Sequence, residues 1–448
     1  MECGISKNEY LRQKCRTRKF YLAVLSLLCV VSVLVLEQTV INRSYFDPHF
    51  KIHINVTVSD QRYYEVTTFP SDIQYSWSRN ETKNPEMFIL SAIGINFSKL
   101  NDYHAEVKIS GWMALGLKAS GIKCCFLMNS GALIEHHRPS RSLGERVALT
   151  SSQTTCPVES HIQDVKGVTL QFAESKCSMN TSAYIKPSVP IKPTDNESFA
   201  ICLKILFGQI NVGLLVEWLE YNRLIGVDKI FMFTYNLKRE VRDVLRQYVK
   251  AGFVETRPYK YPKKKYHKIG TKIKSFFEDE QVAVYDCYER LSLYKYFSII
   301  DMDEFIVPRK HDNIKNLMRY LMTKYPLAGG FQMTSYLFVK DIDQNGHPVR
   351  KNSNIGSYFK RFSFPKKARS RSKNILLPSR TSTIRTHTFS PVLNYAKIKI
   401  NASDVSLNHY RKCYTDLRKF CKGSAVNDTY ILKFLNRLNE KNQIVHYN

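Results

Sequence analysis

The sequence predicts an α/β protein with a mainly parallel sheet, preceded by a β-rich module and an N-terminal transmembrane helix. Three observations carry this reading: strand-length apolar runs alternate with helical stripes after Glu197, short β-prone runs precede it, and one uncharged stretch lies near the start. At 448 residues, 44% of them apolar, the chain can bury more than one core and is not chiefly disordered.

The uncharged stretch is Phe20 to Leu36, seventeen residues reading FYLAVLSLLCVVSVLVL, just long enough to span a bilayer. Lys7, Arg12, Lys14, Arg16, Arg18 and Lys19 precede it against Glu2 and Glu9, so the positive-inside rule places the N-terminus in the cytosol. The result is a type II anchor. A cleaved signal peptide fits less well, because its apolar core is usually shorter and no small-x-small cleavage site occurs before Glu37. Acceptor sequons at Asn42, Asn55, Asn80, Asn96, Asn180, Asn196, Asn401 and Asn427 give independent support for a lumenal location. Cys124, Cys125, Cys156, Cys177, Cys202, Cys287, Cys413 and Cys421 then lie in an oxidising lumen, and disulfides are expected. The spacing favours Cys156 with Cys177, and one of the adjacent Cys124 and Cys125 reads as a buried thiol.

Residues 1–19 form a cytosolic tail, 20–36 the anchor and 37–84 a polar stem without sustained periodicity. Residues 85–195 form the β-rich module and a linker carrying Pro187, Pro190 and Pro193. In 196–448, Phe199 to Leu206 reads as a buried strand, and the helix after it carries Leu215, Trp218, Leu219 and Asn222 before Gly226. Lys229 to Phe233 is the next strand. Val241, Val244, Leu245, Tyr248 and Val249 make an apolar helical stripe ended by Gly252. Phe253 to Tyr259 is the third strand. A helix with Val284, Cys287, Tyr288 and Leu291 on one face leads into Tyr296 to Asp301. Such alternation implies a parallel sheet with its ligand site beyond the carboxyl ends of the strands.

At that position stands DMDEF, Asp301 to Phe305. In an extended chain Asp301 and Asp303 face the same way, with Met302 turned into the core. Two carboxylates on one side suit Mn2+ or Mg2+, which neutralises a leaving diphosphate. An Asp-x-Asp triplet alone is unspecific; its place after an apolar strand in a lumenal α/β region supplies the specificity.

The formal charge of +28 is concentrated in runs such as Tyr259 to Lys274 and Lys366 to Lys373. It implies a polyanionic partner: a nucleotide diphosphate, an acidic glycan or a membrane surface. A lumenal location excludes nucleic acid. The competing reading is a noncatalytic, membrane-anchored glycan-binding or heparan-binding protein, which tolerates loss of Asp301 and Asp303 and weakens steeply with salt.

The segments Glu217 to Asn236, Tyr248 to Tyr259, Gln281 with Ala283 to Leu291, Phe297 to Pro308 and Asn408 to Cys413 resemble glycosyltransferase family 92, in the expected order. The resemblance implies a GT-A (Rossmann-like) catalytic domain at 196–448 and an inverting transfer. It also implies a Golgi membrane enzyme adding β1,4-linked galactose from UDP-galactose to galactose or fucose on glycoprotein N-glycans. Asp301 and Asp303 match the metal motif, and His409 matches a late histidine that serves as a third metal ligand. Asn236 and Asp286 match donor-facing positions, and Lys373 is placed to reach a phosphate from the basic loop. Trp218 reads as core. SAIGIN at Ser91 to Asn96 departs from the SAYYD-like segment expected there, which leaves the module's role open. An inverting transfer needs a carboxylate base. Asp341, Asp343 and Asp404 all qualify, whereas Glu304 reads as a partner behind the metal ligands. A homodimer is allowed, though nothing in the sequence requires one.

Overall fold

The computed structural model describes residues 77–79, 86–100, 103–114, 121–137, 140–143, 149–260, 280–340, 355–363, 372–412 and 425–440. The tail, the expected anchor, the stem apart from Trp77–Arg79, Asn42, Asn55, Asn80, most of both basic runs, Asp341, Asp343, Cys413 and Cys421 lie outside them. Among the described residues no helix is long and apolar enough to cross a membrane. Asn96, Asn180, Asn196, Asn401 and Asn427 are all exposed.

The β-rich module contains β1 (Trp77–Arg79), β2 (Glu86–Leu100), β3 (Tyr103–Ala114), β4 (Ile122–Met128), β5 (Leu133–His136), β6 (Ser140–Leu143), β7 (Leu149–Val158) and β8 (Val165–Phe172). They form two sheets ordered β1-β2-β3-β7-β6 and β5-β4-β8, with every pairing antiparallel. Alternation along β3 sends Val107, Ile109 and Met113 into one core with Phe126, Met128, Val168 and Leu170 of the other sheet. Gly111 permits the close approach of β2, since a Cβ there would lie 2.1 Å from the carbonyl oxygen of Phe88.

The disulfides correct the sequence-based pairing. Cys124 bonds Cys156 across the two sheets, and Cys125 bonds Cys177 in the loop after β8. Consecutive strand residues project to opposite faces, so the adjacent cysteines reach different partners and neither remains a thiol. The described disulfides also include Cys202–Cys287.

The second half runs β9 (Phe199–Phe207), α1 (Val212–Leu224), β10 (Lys229–Tyr235), α2 (Arg239–Lys250), β11 (Val254–Pro258), α3 (Gln281–Arg290) and β12 (Tyr296–Ile299). Then come β13 (Glu304–Pro308), α4 (Ile314–Lys324), β14 (Ala328–Gln332), β15 (Thr334–Val339), β16 (Lys360–Ser363), β17 (Asn374–Leu376), β18 (Thr381–Arg385) and β19 (Thr388–Pro391). β20 (Ala396–Lys399), β21 (Val405–Arg411), β22 (Val426–Asn427) and α5 (Leu432–Glu440) complete it. Asn211 caps α1 by accepting from the Leu214 N–H, and Gly226, at φ +93°, turns the chain out. On α2 the buried stripe is Val241, Val244, Leu245 and Tyr248, while Val249 lies outside it, 40% exposed.

The seven-stranded sheet has the order β11-β10-β9-β12-β17-β14-β20. β11, β10, β9 and β12 run parallel as expected, but β17 is antiparallel to both neighbours, making the sheet mixed. A second sheet has the order β13-β21-β15-β16-β22. Helix α3 lies between the large sheet and the module. Val282, Val284 and Cys287 share one core with Ala200 and Phe231 on one side and with Phe88, Leu90 and Trp112 on the other.

Candidate active site

The DMDEF motif stands where β12 hands over to β13. Trp218 and Tyr221 of α1 fix β13 by donating from Nε1 to the Glu304 carbonyl and from the hydroxyl to the Ile306 carbonyl, each at 2.9 Å. Trp218 is therefore core, but core that positions the motif. Asp301 to Glu304 is a turn rather than extended chain. The Glu304 N–H donates to the Asp301 carbonyl, and Glu304 Oε2 accepts from the Asp301 N–H, both at 2.9 Å. Met302 consequently lines the cleft instead of entering the core, which corrects the extended reading.

The turn sends the two aspartates to different partners. One Asp301 oxygen pairs with Lys204 Nζ at 2.8 Å and the other with Lys373 Nζ at 2.9 Å. Register explains both lysines: β9 and β17 flank β12, so residues just beyond Cys202 and just before Asn374 arrive beside Asp301. Lys204 also bonds Glu280 at 2.6 Å, and Lys373 bonds Glu304 at 3.1 Å. Lys204 holds a left-handed φ of +63°, a conformation costing about 1–2 kcal/mol for a residue with a side chain. Asp303 instead faces His409. Antiparallel pairing sets Glu304 opposite His409, and the Tyr410 N–H donates to the Asp303 carbonyl at 2.7 Å. His409 Nε2 then lies 3.3 Å from Asp303 Oδ2, while Nδ1 lies 3.5 Å from Glu304 Oε1.

These contacts set the charge states. Burial alone raises the Asp301 carboxyl, but Lys204 and Lys373 together hold it well below the usual range. Burial, reinforced by Asp301, raises Glu304 despite Lys373. His409 is lowered by burial but raised on balance by Asp303 and then Glu304. His387, whose Nδ1 lies 3.1 Å from the Ser372 carbonyl, is pushed down to about 4 by burial and by Lys373, and is neutral.

The cleft formed by these groups, about 380 Å³, is lined by Lys204, Phe207, Glu280, Asp301 to Asp303, His387, His409 and Arg411 among others. Sequence reasoning missed Lys204, although it is the lone charge in an apolar strand, and Arg411, although it stands two residues from His409. Glu280 and His387 carried no sequence signal.

A family model described as Glycosyltransferase family 92 matches residues 197–447. The chain belongs to glycosyltransferase family 92. Membership makes it a glycosyltransferase, which implies a nucleotide-sugar donor and a glycan acceptor. A search of curated proteins found no match. Among solved structures, an apo UDP-glucose pyrophosphorylase aligns at 11% identity over 55% of this chain and 97% of its own, with a TM-score of 0.21. HddC from Yersinia pseudotuberculosis aligns at 12% identity over 55% and 99%, with a TM-score of 0.23. Likenesses this slight carry no argument.

In the transferase, three expected donor contacts stand apart from the cleft's free surface. Asp286 is fully buried and forms a two-point ion pair with Arg290, both bonds at 3.0 Å. The i,i+4 spacing on α3 turns it toward that arginine. Lys373 is fully buried against Asp301 and Glu304, because β17 draws it out of the basic run. Asn236 is exposed at the end of β10 but is not a lining residue. Asp404 pairs with Lys310 at 2.6 Å, at the far end of β21 from His409.

The donor set fits a divalent ion at Asp303 and His409. One carboxylate and one imidazole face each other across 3.3 Å at the cleft surface, while Glu304 stands behind the second ring nitrogen. Asp301 fits less well as a ligand, since both oxygens are already paired with lysines. Cys125, Glu135 and Cys177 also converge, but the disulfide between the cysteines leaves no thiolate to bind a metal.

Proposed function

We propose that the protein is an inverting, metal-dependent galactosyltransferase of the Golgi lumen, with a GT-A catalytic domain and a type II anchor at Phe20 to Leu36. In this reading it moves galactose from UDP-galactose to galactose or fucose on N-glycans. The observation carrying it is the Asp303–His409 pair in a cleft where the parallel strands end. The identities of sugar and acceptor rest on the family resemblance.

Asp303 and His409 hold the ion, Mn2+ or Mg2+, and a mixed carboxylate–imidazole set favours Mn2+. When bound, the ion supplies positive charge against the departing diphosphate. Glu304 orients the His409 ring, and Lys204 and Lys373 lock the turn by gripping Asp301. Glu280, Asp301 and Asp303 are carboxylates of the cleft, and the first two are paired with lysines.

The test is transfer from a panel of nucleotide sugars by the purified full-length protein, with Mn2+, with chelator and as Asp303→Ala. Turnover of UDP-galactose that requires Mn2+ and disappears in the folded variant supports the reading. Another preferred donor displaces galactose alone. A folded protein that turns over no donor yet binds glycans without metal defeats the enzyme reading.

A further inference from the structure

The hairpin of β18 and β19 brings a second histidine to the cleft, and the metal pair gives it no task. The two strands form a sheet of their own, joined by a turn at Thr386 and His387. Ile384 and Phe389 bury the hairpin in the core shared with α3, and Gln281 of that helix donates to the Ile384 carbonyl at 2.9 Å. The tip is tied down as well. Ser372, which directly precedes Lys373, holds His387 twice: its hydroxyl donates to the His387 carbonyl at 3.4 Å, and its own carbonyl faces Nδ1 at 3.1 Å. Gln332 in turn donates to the Ser372 hydroxyl at 2.8 Å.

A carbonyl oxygen can only accept, so Nδ1 carries the ring proton and Nε2 keeps a lone pair. Among the described residues Nε2 has no hydrogen-bond partner. Burial, then Lys373 and Lys204, push the ring's pKa down to about 4, so at neutral pH it is an uncharged acceptor lining the cleft. Such a group suits little of what the cleft receives. It repels phosphate oxygens, and among the described residues it is not close enough to Asp303 and His409 for the three to share an ion. It requires a neutral donor, and sugar hydroxyls are the neutral donors that a transferase brings together in quantity.

We propose that His387 Nε2 accepts a hydrogen bond from a hydroxyl of one of the two sugars that react in this cleft, and so seats and selects that sugar. The assignment rests on the glycosyltransferase reading of the cleft and deepens it. Two bonds to Ser372 fix where the lone pair points, and a sugar without a hydroxyl at that place leaves the acceptor unpaired.

The test uses purified full-length protein with Mn2+. UDP and UDP-galactose are titrated calorimetrically, and initial rates are measured against a galactose-terminated oligosaccharide. His387→Asn keeps an N–H for the Ser372 carbonyl but puts nothing at the Nε2 position, which separates the tether from the acceptor. It is expected to melt like the parent and to bind UDP within about twofold of it. One lost hydrogen bond is worth about tenfold. UDP-galactose binding weakened by that factor assigns the transferred sugar; an acceptor KM raised by it, with UDP-galactose binding unchanged, assigns the receiving one. His387→Gln, whose amide oxygen reaches toward the Nε2 position, should recover part of the loss. Parental UDP-galactose affinity together with parental acceptor KM in His387→Asn overturns the assignment, as does equal weakening of UDP and UDP-galactose. A loss confined to kcat overturns it too, since that marks a base. Should the donor panel select another sugar, that nucleotide sugar replaces UDP-galactose in each arm. If the unaltered protein transfers from no nucleotide sugar, the reading of the cleft fails and takes the assignment with it.

Discussion

Glu217 should make folding weaken as pH rises. Its carboxyl is 4% exposed on α1 and accepts the Ile355 N–H at 3.1 and 3.3 Å through its two oxygens. Burial pushes it up from 4.5 to about 8, against that bond and the positive charge of Lys340. In the unfolded chain the group ionises near its ordinary value, whereas in the folded chain it keeps its proton to about pH 8. The folded state thus binds the extra proton, and its stabilising effect is full below pH 4.5 and lost progressively up to pH 8. Each pH unit in that window is worth about 1.4 kcal/mol, or about 5 kcal/mol as a ceiling across it. Glu217→Gln keeps an acceptor for Ile355 but cannot ionise. Urea unfolding of both proteins from pH 5 to pH 8 is the assay, and the difference between their slopes is the quantity read. Any constant offset from the amide nitrogen cancels. Parallel curves, or a parent that gains stability relative to the variant toward pH 8, would refute the reasoning.

Lys373→Met should cost about 3–5 kcal/mol in unfolding experiments, because it strands the buried carboxylate of Glu304 and takes from Asp301 one of its two cations. Asp303→Asn should leave the melting temperature nearly unchanged but weaken Mn2+ binding about tenfold or more, read by calorimetry. Breaking Cys202–Cys287 by Cys287→Ser should cost about 2–4 kcal/mol in urea. Activity should fall in that variant before global unfolding, since Lys204 lies two residues beyond Cys202.

Between Phe199 and Pro308 the sequence was legible because local signals agreed with the tertiary outcome. The buried run of β9, the stripe of α2 and the left-handed glycines 226 and 252 each mark their own element. Three-residue β17 left no such trace. It follows a basic run, yet long-range pairing with β12 and β14 draws it into the sheet and carries Lys373 inward. The motif itself was visible, but its turn was not: Glu304 closes it through reciprocal bonds to Asp301, a contact no periodicity encodes. Asp286 shows a local signal missed, since an arginine four residues later on a helix predicts an internal ion pair. Cys124 and Cys125 show another, because neighbours on a strand cannot share one partner side.

Nine of the ten residues of α3 are buried, and the sheet covering one of its sides belongs to the first half of the chain. The family match opens at residue 197, but that boundary is one of sequence descent and not of folding. A truncation there strips Phe88, Leu90 and Trp112 from α3 and lays bare an apolar face that invites aggregation. The same dependence limits recombination. Exchanging N-terminal halves between relatives to transplant acceptor preference also exchanges half the lining of a helix that precedes the DMD turn. Substitutions on the two sides of that helix are therefore bound to be tolerated jointly.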